Sequence, residues 1–188
     1  MTALRLVLEQ HVERCDATED VNKALQLARG IDEEVDFLAW ELRPAALDDL
    51  GLAAALPRYL QEWSDHFAIR GNFQGIGSVA GLLPPAAETT FYRVAQEALN
   101  NVSKHAQASR VDVILERRDG LVELVIEDDG VGFDVSSRGI AERGIGLAGM
   151  RQRAALANAT LLVESTPGKG TTVFLRRQIE QPEGGTAV

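Results

Sequence analysis

Cysteine is almost absent: Cys15 is the only one among 188 residues. No internal disulfide framework can exist, and a reducing cytoplasm is the expected compartment. Positive charge is also in short supply. Lys and Arg number 19 against 28 Asp and Glu, for a net charge of −9, and no basic patch stands out along the chain. A nucleic-acid partner is therefore not expected, because a phosphate backbone repels such a surface. Long apolar runs are missing too. The longest uncharged apolar stretch, Leu50 to Pro57, falls far short of the roughly 20 residues that a bilayer-spanning helix needs. Arg5 and Glu9 interrupt the first apolar stretch, so it does not read as a signal peptide, and no membrane contact is expected from this chain. What is present is ordinary globular material. At 45% hydrophobic and 25% charged, the composition suffices for one domain with a buried core plus an appendage.

The appendage comes first. Val21, Ala24, Ala28, Ile31, Val35, Leu38 and Leu42 repeat at alternating spacings of three and four, which is a heptad seam. Asp16 or Thr18 can cap its start, and Pro44 stops it. Leu4, Val7, Leu8, His11 and Cys15 form a shorter stripe before it. Residues 1–45 thus read as two antiparallel helices whose apolar seam needs a cover. A second copy of the hairpin would make a four-helix bundle, so a homodimer is expected; packing on the rest of the chain is the alternative.

From Leu47 the pattern changes to mixed elements. Leu47 to Phe67 reads as a helix that Pro57 should kink or restart. Ile69 to Val79 reads as a weak strand followed by a turn, and Pro84 and Pro85 open a helix that runs to about Ala106. Arg110 to Glu116 and Leu121 to Asp128 alternate as strands on either side of a turn at Asp119 and Gly120. A helix from about Gly146 to Asn158 and strands at Thr160 to Ser165 and Thr171 to Arg177 follow. Residues 179–188 read as a frayed tail after a main domain at 46–178.

No GxxxxGK followed by Ser or Thr occurs, so a phosphate-binding P-loop is excluded. Gly144, Gly146 and Gly149 do spell GxGxxG, but residues 133–143 before them are too polar for the buried strand that a dinucleotide fold requires. Three other features stand in one order. At about 100° per residue, Arg93, Glu97, Asn101 and Lys104 share one helix arc, with Phe91, Ala95, Ala98, Leu99 and Val102 on the other side. A carboxamide oxygen suits Mg²⁺ beside nucleotide phosphates, a lysine can neutralise a phosphate oxygen, and a glutamate can orient a nucleophile. A solvated polar face is the plain alternative. Next comes Asp128-Asp129-Gly130-Val131-Gly132 after an apolar strand. An aspartate there can accept from an adenine amino group while glycines let the backbone approach the ring; a hairpin turn would look the same. Last are the run from Gly144 to Met150 at a helix start, whose free N–H groups attract phosphate, and the run from Pro167 to Thr172. The latter is equally consistent with a tight turn between strands.

Together these motifs resemble those of a known family. FYRVAQEALNNVSKHA at Phe91 to Ala106 looks like the N box of GHKL ATPases, and DDGVG, GIGLAGM and GKGTT look like its successive G boxes. LRPAALDDLGLAAAL, QEALNN with KHA, and GIGLAGMRQR resemble, more narrowly, the sensor histidine kinases that partner response regulators with helix-turn-helix output domains. The resemblance runs from Thr2 to about Arg177. It implies an α+β fold, a two-layer α/β sandwich preceded by the helical hairpin, that binds ATP with Mg²⁺. Asn101 would hold the metal, Glu97 would sit near the attacking group, and Lys104 and His105 would approach phosphate or ribose. Asp128 would read adenine over Gly130 and Gly132, with Thr171 close by. Residues 133–143 would form a lid hinged at Gly144 and Gly146, leading into Leu147 and Gly149 of the same nucleotide-binding motif.

One departure qualifies the resemblance. The family's phosphorylated histidine lies in a motif like His-Asp followed by a glutamine, and the hairpin here begins with TALRLVLEQ, which resembles the stretch just after it. His11, followed by Val12 and Glu13, does not fit that motif, and His66 beside Asp65 reads as a surface or capping residue. The expectation is a histidine kinase fragment that binds ATP and lacks its own acceptor. The competing readings are a GHKL ATPase or protein serine kinase using Glu97 to activate water or a hydroxyl, and a dimeric scaffold whose pocket has decayed.

Overall fold

The computed structural model describes residues 45–135 and 145–179. The chain divides after Pro44 into two compact units, and every described residue belongs to the second. The expected helical hairpin, Gly144, most of the expected lid and nearly all of the tail lie outside the described residues.

Helix α1 spans Ala45–Leu50 and α2 spans Leu52–Phe67. The restart expected at Pro57 occurs instead at Gly51, whose φ of 73° an L side chain would resist. Pro57 lies inside α2. Leu52, Ala55, Leu56, Leu60 and Trp63 form one buried stripe on both sides of it, and this burial holds the helix through the hydrogen bond that proline withholds. Strand β1, Arg70–Ile76, comes next. Helix α3, Pro85–Asn101, starts with a proline where its missing N–H costs nothing. It continues into a π turn, Val102–Ala106, which closes with Gln107 in the left-handed region. The remaining elements are β2 (Arg110–Arg118), β3 (Leu121–Asp128), α4 (Ile145–Leu156), β4 (Thr160–Ser165) and β5 (Thr171–Gln178).

The strands form one sheet in the order β1-β2-β3-β5-β4, with β1 parallel to β2 and all other pairs antiparallel. The parallel pair needs a crossover, and α3 lies within it. The β2–β3 hairpin turns through Asp119 and Gly120, both at positive φ as a two-residue loop of this hand requires. Alternation sends Val111, Val113 and Leu115 of β2, Val122, Leu124 and Ile126 of β3, and Val173 and Leu175 of β5 into the core with the helices. The sheet therefore has helices on one face, the two-layer α+β arrangement read from the sequence. Asp128 continues the buried alternation of β3 and places a carboxyl group where an apolar side chain would ordinarily sit.

Helix α3 corrects one expectation. Arg93, assigned to the polar arc, is buried, and its Nη1 donates to Gln96 Oε1 at 3.1 Å. Phe91 to Ala95 are all buried, a wider arc than a single stripe. Tyr59 of α2 meets Tyr92 of α3 with ring centroids 5.6 Å apart. Burial, reinforced by Tyr92, pushes the Tyr59 hydroxyl up to about 12.

Candidate functional site

A cavity of about 380 Å³ opens between the helices and one end of the sheet. Helix α3 and its π turn contribute Ala98, Asn101, Val102, His105 and Ala106. The sheet adds Ile126, Asp128, Val163, Thr171 and Val173; the chain after β3 adds Val131, Gly132 and Phe133; α4 adds Gly146, Leu147 and Met150. Apolar walls with a few convergent polar groups suit a flat heteroaromatic ring, which sheds water on its faces and keeps hydrogen bonds at its edge.

Asp128 is the polar centre. Its side chain is on a residue only 7% exposed. Burial raises its pKa above the ordinary carboxylate value, while the Gly130 and Thr171 backbone N–H groups pull the other way. The Gly130 N–H donates to Oδ1 at 2.8 Å. Thr171 is the register partner of Asp128 across β3 and β5. A buried carboxylate with remaining acceptor capacity is matched to a donor-bearing ligand edge.

The backbone around Asp128 is interlocked. The Val131 N–H donates to the Ala106 carbonyl at 2.8 Å, and the Gly168 N–H donates to the Val131 carbonyl at 2.6 Å. Gly132 sits at φ 58°, where a Cβ would run into the Thr166 carbonyl and lie 2.7 Å from that of Gly170. Only glycine fits there. Asp129 points away from the cavity: its carboxylate accepts from the Ser109 N–H at 2.8 Å, the Ser109 hydroxyl at 2.6 Å and the Arg110 N–H at 2.9 Å. The Ser109 hydroxyl, then the Arg110 N–H, hold its pKa down at about 2.

Of the residues singled out from sequence, Asn101, His105, Asp128, Gly132, Gly146, Leu147 and Thr171 line this one cavity. Four described ones lie off its lining. Gly130 is buried beside Asp128 and serves it through its N–H. Glu97 packs against Gly146, where a Cβ would strike its Oε1. Lys104 is exposed on the π turn. Gly149 lies in α4, where a Cβ would meet nothing closer than Arg153 Nη1 at 3.5 Å. Ser165 was missed altogether. Its hydroxyl accepts from the Phe133 N–H, yet a lone serine at a strand end carries no pattern that sequence could reveal.

Asn101 supplies a carboxamide to the cavity, and the described residues contain no group of three or more His, Cys, Asp or Glu able to hold a metal ion alone. This donor set fits a Mg²⁺ that takes one protein ligand and the rest from phosphates and water.

The family of histidine kinase-, DNA gyrase B- and HSP90-like ATPases matches residues 86–181. The histidine-protein kinase/phosphatase DegS of Brevibacillus brevis is 33% identical over 97% of this chain and 48% of its own length. The oxygen sensor histidine kinase NreB of Staphylococcus carnosus is 37% identical over 92% of this chain and 49% of its own. The chain thus spans about half the length of these curated relatives. Among solved structures, the histidine kinase domain of the blue-light activated kinase EL346 of Erythrobacter litoralis superposes with a TM-score of 0.61. It covers 95% of this chain and 93% of that one at 22% identity, a likeness of fold. With residues 86–181 spanning α3, the cavity and the whole sheet except β1, the chain belongs to the histidine kinase-, DNA gyrase B- and HSP90-like ATPase family.

Proposed function

We propose that this chain is the ATP-binding catalytic region of a sensor histidine kinase in a two-component relay. The observation that carries the reading is the buried Asp128 carboxylate at the edge of an apolar cavity that also holds Asn101 and Thr171. Asp128 accepts a hydrogen bond from the adenine amino group, and the apolar walls exclude water from the ring faces. Asn101 would hold Mg²⁺, which when bound neutralises charge on the phosphate oxygens. Lys104, exposed on the π turn, would neutralise a phosphate oxygen, and His105 lines the cavity. Glu97, beside Gly146, orients the attacking group.

The transfer asks little covalent work of the protein. An imidazole nitrogen attacks the γ-phosphorus in line, the bond from that phosphorus to the bridging oxygen breaks, and ADP leaves. The chain contributes positioning. The acceptor histidine is supplied from outside the motifs present here, in a dimer formed through the N-terminal helices. The phosphoryl group then passes to a response regulator with a helix-turn-helix output domain. The working compartment is the cytoplasm; among the described residues no helix is long and apolar enough to cross a membrane.

Calorimetric titration with a non-hydrolysable ATP analogue and Mg²⁺ tests the binding step. Wild type should bind, while Asp128→Asn and Asn101→Ala should weaken or lose binding. A folded wild type that binds no adenine nucleotide would sink the kinase reading.

A further inference from the structure

Ser165, Thr171 and Asp128 form one transverse row across three strands. Ser165 pairs with Thr171 between β4 and β5, and Thr171 pairs with Asp128 between β5 and β3. The next row on the same face of the sheet, Val163, Val173 and Ile126, lines the cavity throughout. Ser165 is thus the outer end of a row whose other two members are cavity residues.

The Ser165 hydroxyl has three neighbours at hydrogen-bonding distance. It lies 2.9 Å from the Phe133 N, 2.9 Å from the Gly170 carbonyl oxygen and 3.0 Å from the Thr171 Oγ1. A backbone N–H can only donate and a carbonyl can only accept. The single Ser165 proton therefore goes to Gly170, and one lone pair receives the Phe133 N–H. All three contacts are satisfied together only if Thr171 donates its own proton to Ser165. Thr171 Oγ1 is then left with lone pairs and no free proton to offer the cavity.

We infer that Ser165 is a specificity-determining positioning residue: by accepting a hydrogen bond from the Thr171 hydroxyl it makes Thr171 an obligate acceptor beside the Asp128 carboxylate. Two acceptors that both face the 6-position select an exocyclic amino group, whose two N–H bonds can serve one each, and repel an exocyclic oxygen. A 6-aminopurine is admitted and a 6-oxopurine is disfavoured, because an oxygen at that position meets a lone pair it cannot escape. This inference rests on the reading of the cavity as an adenine-nucleotide site, and it assigns base discrimination to a residue that does not itself line the cavity.

The test is titration of the full chain with ADP and with inosine diphosphate, which differ in the base only at the 6-position and the adjoining ring proton. Wild type should prefer ADP by on the order of 100-fold. In Ser165→Ala the Thr171 hydroxyl is free to turn and donate. The preference should narrow by about 10-fold, with inosine diphosphate bound more tightly than by wild type. Ser165→Thr keeps the acceptor and should keep the preference. A purely structural serine would weaken both ligands together and could not improve one. That result, or an unchanged preference, overturns the inference.

Should Ser165→Ala fail to fold, Thr171→Val decides: it should narrow the preference through loss of ADP affinity, and an unchanged preference overturns the inference. Wild type binding neither diphosphate would instead remove the nucleotide reading on which it rests. That outcome is distinct from one in which ADP binds and Ser165 makes no difference.

Discussion

Asp128 and Thr171 face each other across the β3–β5 ladder, and the Thr171 backbone N–H is one of two that donate to the Asp128 carboxylate. Burial still outweighs these donors and raises the carboxyl's pKa above 3.8. The carboxyl of the free protein is therefore desolvated, with acceptor capacity that a ligand donor would complete.

Function and stability should separate at this position. Asp128→Asn removes a charge-assisted hydrogen bond to the base, about 2 kcal/mol or roughly 30-fold in affinity. Its effect on the ligand-free fold has the opposite sign. A carboxyl whose folded pKa is raised binds its proton more readily in the native state, so its contribution to stability is complete at acid pH. That contribution is lost as pH rises from 3.8 through the higher folded value. The stability of the Asn variant relative to wild type should therefore improve between about pH 3 and about pH 7. Thermal unfolding across that range checks it, and a gap that moves the other way refutes it.

Asp129, its neighbour in sequence, behaves conversely. Its pKa is lowered to about 2 by the Ser109 hydroxyl and the Arg110 N–H, so its stabilisation is present above 3.8 and disappears as pH falls through about 2. Denaturant melts of wild type and Asp129→Asn should differ at neutral pH and converge in strong acid. The effect should be small, because the group is exposed to solvent that screens it. A difference that stays undiminished in strong acid would contradict the assignment.

Glycines in the cavity motifs are not equivalent. Gly132→Ala drives a Cβ onto the Thr166 and Gly170 carbonyls at a positive φ, which should cost about 2 kcal/mol or more and lower the melting midpoint by several degrees. Gly149→Ala meets only the end of a flexible arginine within α4, and there the higher helix propensity of alanine should leave stability unchanged or improved. Parallel melting curves would separate the two, and equal losses would defeat the distinction.

Much of this was legible in the chain because burial imposes simple periods. The two-residue alternation of β2 and β3, the turn at Asp119 and Gly120, and the proline-led start of α3 all follow from local rules. Asp128 stood out by its place at the end of an apolar strand, and Asn101 and Thr171 by their motifs. What escaped depends on partners distant in sequence. Gly51, not Pro57, breaks the first helix, because the buried stripe of α2 continues past the proline. Arg93 is covered because α3 buries a broader arc than one stripe. A uniform helical wheel carried Lys104 onto the arc of Asn101, and the π turn that begins at Val102 changes that phase. Ser165 acquires its meaning only when β4 is laid beside β5.

Histidine is scarce, with three in the chain. His105 lines the cavity, His66 is exposed at the end of α2 with its ring edge-on to Phe67, and His11 lies outside the described residues. None stands in the His-Asp pattern expected of an acceptor. Incubation with γ-labelled ATP should leave the chain without a stoichiometric acid-labile label. Labelling that reached one phosphoryl group per chain would require an acceptor among these three, and single substitutions would then identify it.

Asn101 provides the sharpest test of the metal assignment. Its carboxamide faces the cavity, and the described residues include no cluster of three metal-binding side chains to share the work. A Mg²⁺ held by one protein oxygen and by phosphates is bound only together with the nucleotide. The contribution of Asn101 should therefore appear as coupling rather than as a separate metal affinity. Wild type should bind ADP about 10-fold more tightly with Mg²⁺ than with a chelator present, whereas Asn101→Ala should show little difference between the two conditions. In chelator, the two proteins should bind ADP alike, because Asn101 then has no charge to organise. Titrations under both conditions measure the four affinities directly. If the variant kept the full magnesium effect, another residue would have to hold the ion; if it lost affinity equally in chelator, the carboxamide would be contacting the nucleotide itself.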